Sequence, residues 1–558
     1  MSKLSILNYQ PEIDCLRAIA VFLIILFHFE ILIISGGFIG VDIFFVISGY
    51  LITNLVIKDI INNKFSLIEF YTRRMRRIIP ALYSTIFVTT ILCYFILSPD
   101  HFNRLGKSGI SAATAYSNFF FWFESGYFDF HKYFKPLLHT WSLSVELQFY
   151  LVWPILTFLI FKFFKNKTKI FILLIVLSSL FLSTIYSGRT TGYFYFTLFR
   201  LFEFGIGSII YLIKNDIKIK YNDSFFFTGF VIIILSAFGF SEKSIFPGIN
   251  ALAPCIGTSL ILITGGKLIF FKKIFINNFL IFSGKISYSL YLIHWPLIVL
   301  YKYIKLEPLE NVEKILLIFV TIIISIFTYK FIESPYRKKI NNTHIISTKK
   351  MILTFILGLS SIIIISNYLV STNKFLKLSE KKQTAIKTLK EERKFLENFE
   401  KEANTRINNK NYFKDHNKPI KVLVWGDSHA GDFYNVLKLN NEFSKLDLEF
   451  FSYDHFYCFK DINFNEKIIQ FIKDNFISLH NCEEKIKSYH LGYEILTKSD
   501  IIILSSRWTK KIDFYKIAKF IKNYSSNEII IVGRKPRFFH IPTLYIKSNS
   551  DLNYLAYF

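Results

Sequence analysis

The chain has 558 residues, of which 52% are hydrophobic and 64 are Phe, and its formal net charge is +26 at pH 7. Apolar runs of about twenty residues, the length that a helix needs to span a bilayer, recur up to residue 370. This composition excludes a purely soluble protein. The basic residues cluster in short loops between the apolar runs, which positive-inside topology explains better than nucleic-acid binding does. We expect no nucleic-acid partner.

The apolar runs predict eleven membrane spans. They lie at residues 16–34, 38–57, 79–97, 143–161, 170–187, 193–213, 224–240, 249–266, 279–303, 314–333 and 351–370. The first span carries Arg17 and His28 and lacks a small-residue cleavage site, so we expect no cleavable signal peptide. Residues 98–142 include Lys107, Asn118 and several Ser and Thr residues, which favour an external or re-entrant segment.

Basic residues follow every second predicted span, beginning with Arg73, Arg74, Arg76 and Arg77 after the second. Loops rich in Lys and Arg mark the cytoplasmic side of a membrane. Because the number of spans is odd, residues 371–558 are predicted to lie outside the cytoplasm. The Lys-, Ile-, Asn- and Phe-rich composition is typical of a bacterial genome rich in A and T, so we expect the protein in a bacterial inner (cytoplasmic) membrane.

The region after the last span changes character. Residues 371–419 are charged and carry apolar residues near helical spacing, which predicts a helical linker. Beyond it, β-rich runs at 420–425, 448–453, 501–505 and 528–532 alternate with helical stretches. This pattern predicts a small α/β domain with a mostly parallel sheet. We place the domains at 1–340, at 341–419 (the last span and the linker) and at 420–558.

Sites in parallel sheets lie at the carboxyl ends of strands. Asp427 and Ser428, within Trp-Gly-Asp-Ser-His, follow the first strand, and Arg507 and Trp508 follow the third. A serine on a tight strand-to-helix turn lies beside helix-start N–H groups that can hold an oxyanion. Ser428 is therefore a candidate acyl-transfer nucleophile.

The five cysteines divide by compartment. Cys15, Cys93 and Cys255 lie in or beside spans and are interpreted as small apolar residues. Cys458 and Cys482 lie in the predicted exported domain, where a disulfide can form; two unpaired thiols are the alternative. No Cys/His spacing indicates a metal site, and we expect no metal.

Ionisable groups inside membrane spans are costly, so each is a functional candidate. Arg17 and His28 are eleven residues apart, which returns to nearly the same helix face roughly 16 Å further along the axis. We predict that both line one cavity; the alternative is an interfacial arginine and a packing histidine. Arg200 and Glu203, three residues apart, are predicted to form an ion pair. Glu146 and His294 are further polar groups in the spans.

Six separated motifs occur in order between residues 11 and 337. They are PEIDCLRAIAV (11–21), GFIGVDIFFVISGY (37–50), FYTRRMRRIIP (70–80), LLHTWSLSVE (137–146), ISYSLYLIHWPL (286–297) and ESPYR (333–337). Together they resemble the acyltransferase-3 family of membrane acyltransferases, and Arg17 and His28 match its Arg-x10-His pattern. The whole architecture resembles the subgroup in which this membrane domain is fused to an exported SGNH hydrolase-like domain.

The resemblance implies a fold and a reaction. The fold is a polytopic α-helical membrane domain followed by an exported α/β domain. The reaction moves an acyl group, acetyl above all, from cytoplasmic acyl-coenzyme A to hydroxyls of a cell-surface glycan: lipopolysaccharide O-antigen, exopolysaccharide or peptidoglycan. The expected partners are the lipid bilayer, the donor and the glycan. The alternatives are a membrane-tethered glycan esterase or glycan-binding module, and an exporter of an acylated intermediate.

The resemblance also implies residue roles. His28 with Arg17 would perform the first transfer, and Ser428 the delivery to sugar hydroxyls. Asp427, which precedes Ser428, is a further catalytic candidate. Glu146 is a further catalytic candidate. The cluster Arg73, Arg74, Arg76 and Arg77 would bind the phosphates of the donor, although positive-inside topology also explains it. Arg507, Trp508, His139 and His294 are predicted to contact substrate.

The sequence departs from the SGNH pattern at its end. Such domains complete their triad with an Asp-x-x-His near the C-terminus, and no such motif follows Asp500. His540 has no Asp three residues before it. A serine without its base is a weak nucleophile. We therefore expect either that the triad is completed beyond residue 558, or that the exported domain works poorly or only binds glycan.

Overall fold

The computed structural model describes most of the first 371 residues and six stretches beyond them, two of which are single residues. These are residues 9–31, 34–97, 99–124, 132–187, 191–217, 219–242, 244–305, 309–340, 343–371, 420–426, 434, 437, 446–452, 498–505 and 528–532. The chain divides into two compact units, Met1–Leu376 and Lys377–Phe558. In the described residues the first unit is helical, apart from the short hairpin β1 (Lys339–Ile340) and β2 (Thr343–His344), and the second contains a parallel sheet.

The first unit is a bundle of helices. In chain order they are α1 (Pro11–His28), α2 (Gly40–Ile61), α3 (Leu67–Ile96), α4 (Pro99–Ala113), α5 (Ser117–Glu124), α6 (Thr140–Phe163), α7 (Thr168–Tyr186), α8 (Thr197–Ile213), α9 (Asn222–Gly239), α10 (Leu252–Thr264), α11 (Lys272–Phe275), α12 (Asn278–Lys285), α13 (Ser287–Lys305), α14 (Asn311–Phe327), α15 (Ser334–Arg337) and α16 (Thr348–Ser371). A π-helical turn, Thr328–Glu333, joins α14 to α15.

Nine helices of the described part are long and apolar enough to cross a membrane. The other two predicted spans also contain helices, α1 and α13, which carry more charged and polar residues. Each predicted span therefore contains a helix, and the chain is a multi-pass membrane protein. The segment 98–142 contains α4 and α5, neither of which is a candidate span.

Three predicted boundaries are wrong. The first span was placed at 16–34, but its helix runs from Pro11 to His28, since proline suits a first helical turn and acidic residues there favour the helix dipole. The ninth span, 279–303, is two helices, α12 and α13, separated at Ile286. The tenth predicted span, 314–333, lies within the candidate membrane helix Asn311–Arg337, in which α-helical geometry changes to π-helical after Phe327.

The wrong boundary of the third predicted span changes the environment of the arginine cluster. The third span was placed at 79–97, whereas α3 begins at Leu67 because the hydroxyl of Ser66 accepts a hydrogen bond from the backbone N–H of Glu69 at 3.3 Å. Residues 73–77 therefore lie on the first turns of a helix, not in a loop as predicted. Their side chains point to different sides of α3 as a result.

Close packing of α2 against α8 requires glycine on both helices. A Cβ atom on Gly49 would lie 1.8 Å from the carbonyl oxygen of Phe204, and one on Gly207 would lie 1.9 Å from the carbonyl oxygen of Val46. Small residues at such positions let the backbones of membrane helices approach. This approach positions the polar residues of the two helices against each other.

The described part of the second unit is a four-stranded parallel sheet. Its strands are β3 (Ile420–Gly426), β4 (Leu446–Ser452), β5 (Ile501–Ser505) and β6 (Glu528–Val532), in the order β4-β3-β5-β6. The four predicted strands and the parallel pairing are confirmed. Tyr434 and Leu437 pack against the buried face of the sheet. The predicted linker beyond residue 371 lies outside the described residues.

The structure bears on three of the five cysteines. Cys15, Cys93 and Cys255 are fully buried free thiols, which confirms their interpretation as small apolar residues. Cys458 and Cys482 lie outside the described residues, so their disulfide stays a prediction.

Candidate active site

The membrane unit contains a large cavity lined by histidine and aromatic side chains. Its volume is about 890 Å³, and residues of α1, α2, α6, α8 and α13 form its walls. We call it the histidine cavity, and its main residues are His28, His139, Asp42, Arg200, Trp141, Tyr291 and Trp295. Several aromatic walls and a few convergent polar groups are typical of a small-molecule site.

His28, the last residue of α1, forms a hydrogen bond with a histidine of α13. The Nδ1 atom of His28 lies 2.9 Å from the Nε2 atom of His294, and the two rings are nearly parallel, at 17°. His294 is fully buried and is not among the residues that line the cavity. The predicted substrate contact of His294 therefore has no support in this arrangement, since the residue lies behind His28.

His139 precedes α6 and lines the same cavity as His28. Its side chain is buried, and neither of its ring nitrogens has a hydrogen-bond partner in the described part of the chain. Buried polar atoms are rarely left without a partner unless a ligand or water satisfies them. The substrate contact of His139 stays a prediction.

An ion cluster that the sequence revealed only in part lies at the edge of the histidine cavity. The guanidinium of Arg200 donates to Asp42 at 2.8 Å and to Glu203 at 2.9 Å, and all three side chains are at most 1% exposed. The predicted pair of Arg200 with Glu203 is confirmed. Asp42 was not among the predicted site residues, although a charge inside the second span was a signal for it.

A small second cavity, the tyrosine cavity, lies beside the first. Its volume is about 60 Å³, and Val41 and Tyr291 line both cavities. Glu146 is at its wall and accepts hydrogen bonds from the hydroxyl groups of Ser48 and Tyr150. The remaining polar lining residues are Arg17, Arg77, Ser142, Ser287 and Tyr288.

A third cavity of about 380 Å³, the arginine cavity, adjoins the tyrosine cavity through Arg17, Arg77, Ser287 and Tyr288, which line both. Cationic groups outnumber anionic ones in it. They are Arg17, Arg77, Lys285 and Arg337, against Asp14 and Glu333. The prediction that Arg17 and His28 line one cavity is wrong, because Arg17 lines the tyrosine and arginine cavities and His28 only the histidine cavity.

Arg17 is held by a short network at the start of α1. It forms an ion pair with Asp14 at 3.3 Å, and the hydroxyl of Tyr9 donates to the other carboxylate oxygen of Asp14 at 2.7 Å. Tyr9 is largely exposed, and partial desolvation together with this hydrogen bond raises the pKa of its phenol above the ordinary value. The network orients the guanidinium of Arg17 at the junction of two cavities.

The four arginines of α3 have different environments. Arg77 lines two cavities. Arg74 packs over the ring of Tyr150, with 5.7 Å between its guanidinium carbon and the ring centroid. Arg73 pairs with Asp59 at 2.6 Å, and buried Arg76 donates to the carbonyl of Ile346 at 2.6 Å. Only Arg77 of the four is among the lining residues of these cavities.

Comparison with known proteins identifies the family. The acyltransferase-3 family model, which describes an acyltransferase domain, matches residues 10–330. The chain belongs to this family. The predicted family and the predicted enzyme class, an acyltransferase, are thereby confirmed. No solved structure is significantly similar to the chain.

Two relatives illustrate the similarity within the acyltransferase-3 family. The O-acetyltransferase OatA of Staphylococcus aureus is 33% identical over 386 residues, which cover 64% of this chain and 63% of the relative. The peptidoglycan O-acetyltransferase OatA of Listeria monocytogenes is 31% identical over 422 residues, which cover 68% of this chain and 66% of the relative. The matches therefore span less than two thirds of the length of these relatives.

The remaining predicted site residues belong to the second unit. Asp427, Ser428, Arg507 and Trp508 lie outside the described residues, as does His540. The membrane unit also holds residues that the sequence-based prediction missed. They are Asp42, Trp295, Tyr291 and Arg337. All four lie within family motifs: Asp42 in 37–50, Tyr291 and Trp295 in 286–297, and Arg337 in 333–337.

Proposed function

We propose that this protein is an O-acetyltransferase that moves an acetyl group from cytoplasmic acyl-coenzyme A to hydroxyls of a cell-surface glycan, with peptidoglycan as the acceptor. The observation that carries the proposal is the row of three adjoining cavities, cationic at one end and lined by histidines at the other. Membership of the acyltransferase-3 family supports the reaction class, and the name of the Listeria relative supports the acceptor.

The arginine cavity is the proposed donor site. Guanidinium groups bind phosphates through paired charged hydrogen bonds, so Arg17, Arg77 and Arg337 suit the phosphates of coenzyme A. Arg17 lies near the start of α1 and His28 at its end, roughly 16 Å further along the helix axis. A thin pantetheine arm that passes the tyrosine cavity would bring the thioester to His28. In the predicted orientation of the chain, the path from Arg17 to His28 runs from the cytoplasmic side toward the outside.

The histidine cavity is the proposed place of the first transfer. His28 is the candidate general base, since it lines the cavity and its ring is oriented by a neighbour. His139 has unpaired ring nitrogens in the described structure and is the candidate contact for the acyl oxygen or the acceptor. Trp141 and Trp295 supply flat apolar walls.

We also propose that the second unit is an SGNH-like domain on the extracytoplasmic side that delivers the acetyl group through Ser428. Parallel sheets bind ligands at the carboxyl ends of strands, where the strand order reverses. In the order β4-β3-β5-β6 this point is between β3 and β5, whose last residues Gly426 and Ser505 are register partners. The predicted residues Ser428 and Arg507 each follow one of these strands by two positions.

The test uses inside-out membrane vesicles that contain the full chain and receive acetyl-coenzyme A labelled in the acetyl group. We expect covalent label on peptidoglycan. Release of free acetate alone would indicate an esterase, and no consumption of the donor would point to a transporter. Either result would overturn the proposal.

Two variants separate the two transfer steps. His28→Ala should stop consumption of the donor, because the membrane step loses its base. Ser428→Ala should abolish glycan labelling but leave slow hydrolysis of the donor. His101→Ala is the matched control, since His101 is also a buried histidine of the membrane unit but contacts Tyr303 at 3.0 Å and lines none of the three cavities. Full glycan labelling by Ser428→Ala would rule out the serine relay.

A further inference from the structure

The hydrogen bonds of His294 determine which of its ring nitrogens carries the proton. Its Nδ1 atom lies 2.7 Å from the carbonyl oxygen of Tyr291 and 3.2 Å from that of Leu290. A carbonyl oxygen only accepts hydrogen bonds, so Nδ1 of His294 must be the donor. In a neutral imidazole the other nitrogen, Nε2, then carries a lone pair and accepts.

A doubly protonated His294 is the alternative that has to be weighed. Such a cation would donate from both nitrogens. However, His294 is fully buried, and neither it nor His28 forms an ion pair with a carboxylate in the described part of the chain. Burial of an unpaired charge is strongly unfavourable, which leaves the neutral form.

The tautomer of His28 follows from that of His294. The Nδ1 atom of His28 lies 2.9 Å from Nε2 of His294, which is an acceptor, so Nδ1 of His28 must carry the proton. The Nε2 atom of His28 then has a free lone pair. This atom has no hydrogen-bond partner among the described residues. His28 lines the histidine cavity, whereas His294 does not.

We propose that His294 is the positioning residue that fixes His28 in the Nδ1-protonated tautomer, so that Nε2 of His28 is the base of the membrane transfer step. This inference rests on the proposed function for its chemical meaning. The tautomers themselves rest on the geometry of four residues of α1 and α13. The arrangement gives His294 the task that a buried carboxylate performs in a serine hydrolase, without placing a negative charge in the membrane.

The proposed step is the alcoholysis of a thioester. The acceptor hydroxyl oxygen forms a bond to the acyl carbon, and the C–S bond breaks with its electron pair on sulfur. Nε2 of His28 takes the hydroxyl proton and returns it to the departing thiolate, so that a free thiol leaves. While His28 holds both protons, its Nδ1–H still donates to Nε2 of His294, which stabilises the transient imidazolium.

The first arm of the test reads the tautomer directly. The full chain, labelled with ¹⁵N-histidine and held neutral in mildly alkaline buffer, is measured by NMR, and the signals absent from His28→Gln are assigned to His28. We expect an Nδ1-protonated ring in the wild type and a shift to the Nε2-protonated form in His294→Leu. An Nε2-protonated His28 in the wild type would overturn the inference whatever the activity.

The second arm compares two substitutions of His294 in the acetyl-transfer assay. His294→Gln keeps an acceptor, because the amide oxygen can replace Nε2, whereas His294→Leu removes it. We expect His294→Leu to lower kcat by roughly 100-fold or more with KM for the donor unchanged, and His294→Gln to restore most of that loss. Equal loss in both variants, or wild-type kcat in His294→Leu, would show that His294 only packs.

The two arms distinguish this inference from the proposed function. If the wild type transfers no acetyl group, the proposed function fails, and the NMR arm still decides the tautomer of His28. If the wild type is active and His28 is protonated on Nε2, the positioning role fails while the function stands.

Discussion

Removal of the Arg200 charge should destabilise the membrane unit more than removal of any partly exposed arginine. Arg200→Met keeps most of the side-chain volume and removes the guanidinium that contacts Asp42 at 2.8 Å and Glu203 at 2.9 Å. Both carboxylates would then be buried without a cation. One carboxylate oxygen of Glu203 already lacks a hydrogen-bond partner in the described structure.

The magnitude follows from burial. Arg200, Asp42 and Glu203 are at most 1% exposed, and breaking a buried ion pair on one side costs about 3–5 kcal/mol. Arg73 is the matched control because it also pairs with two carboxylates, those of Asp59 and Glu69, but its side chain is 33% exposed. Exposed pairs contribute about 0–1 kcal/mol.

The assay is thermal unfolding of the purified full chain in detergent, followed by intrinsic fluorescence. Arg200→Met should lower the Tm clearly, and Arg73→Met should leave it nearly unchanged. A triple variant, Arg200→Met with Asp42→Asn and Glu203→Gln, should recover much of the loss because no unpaired charge remains. Equal Tm values for Arg200→Met and Arg73→Met would refute the reasoning.

Three further predictions concern topology, packing and the exported cysteines. A reporter that works only outside the cytoplasm should be active when fused after residue 375, and activity of a cytoplasmic reporter there would invert the predicted orientation. Gly207→Leu should prevent α8 from packing on α2 and abolish monodisperse protein, whereas Gly239→Leu, at a site with no atom within 4 Å of a Cβ, should be tolerated. Cys458 and Cys482 should resist a thiol reagent until reduced; equal labelling of denatured protein with and without reductant would exclude their disulfide.

Apolar periodicity was sufficient to predict the elements but not their ends. Each predicted span contains a helix. Strand β4 was predicted to begin at residue 448 and begins at Leu446. The start of α3 was missed because the arginine-rich segment has a low mean hydropathy, which is typical of a loop between membrane spans. A local signal was present, since Ser66 is a capping residue and Glu69 follows it by three positions.

The site could be predicted only as a set of separate polar residues. His28 and Arg17 were identified because charge and polarity are unusual inside a span. Their helical spacing suggested one cavity, but Arg17 lines the tyrosine and arginine cavities and His28 lines the histidine cavity. The contact between His28 and His294 joins residues 266 positions apart, and no local pattern specifies such a distance.

The tyrosine cavity is small, which limits what can pass between the histidine cavity and the arginine cavity. With about 60 Å³, it holds only a few water molecules between the two larger cavities. The hydroxyl of Tyr291 donates to the carbonyl of His139 at 2.8 Å and contacts Ser142 at 2.5 Å, while Glu146 is bound by Ser48 and Tyr150. These hydrogen bonds hold the side chains that narrow the space between the two larger cavities. If the proposed donor passes this way, its arm must therefore displace some of these side chains before the thioester can reach His28.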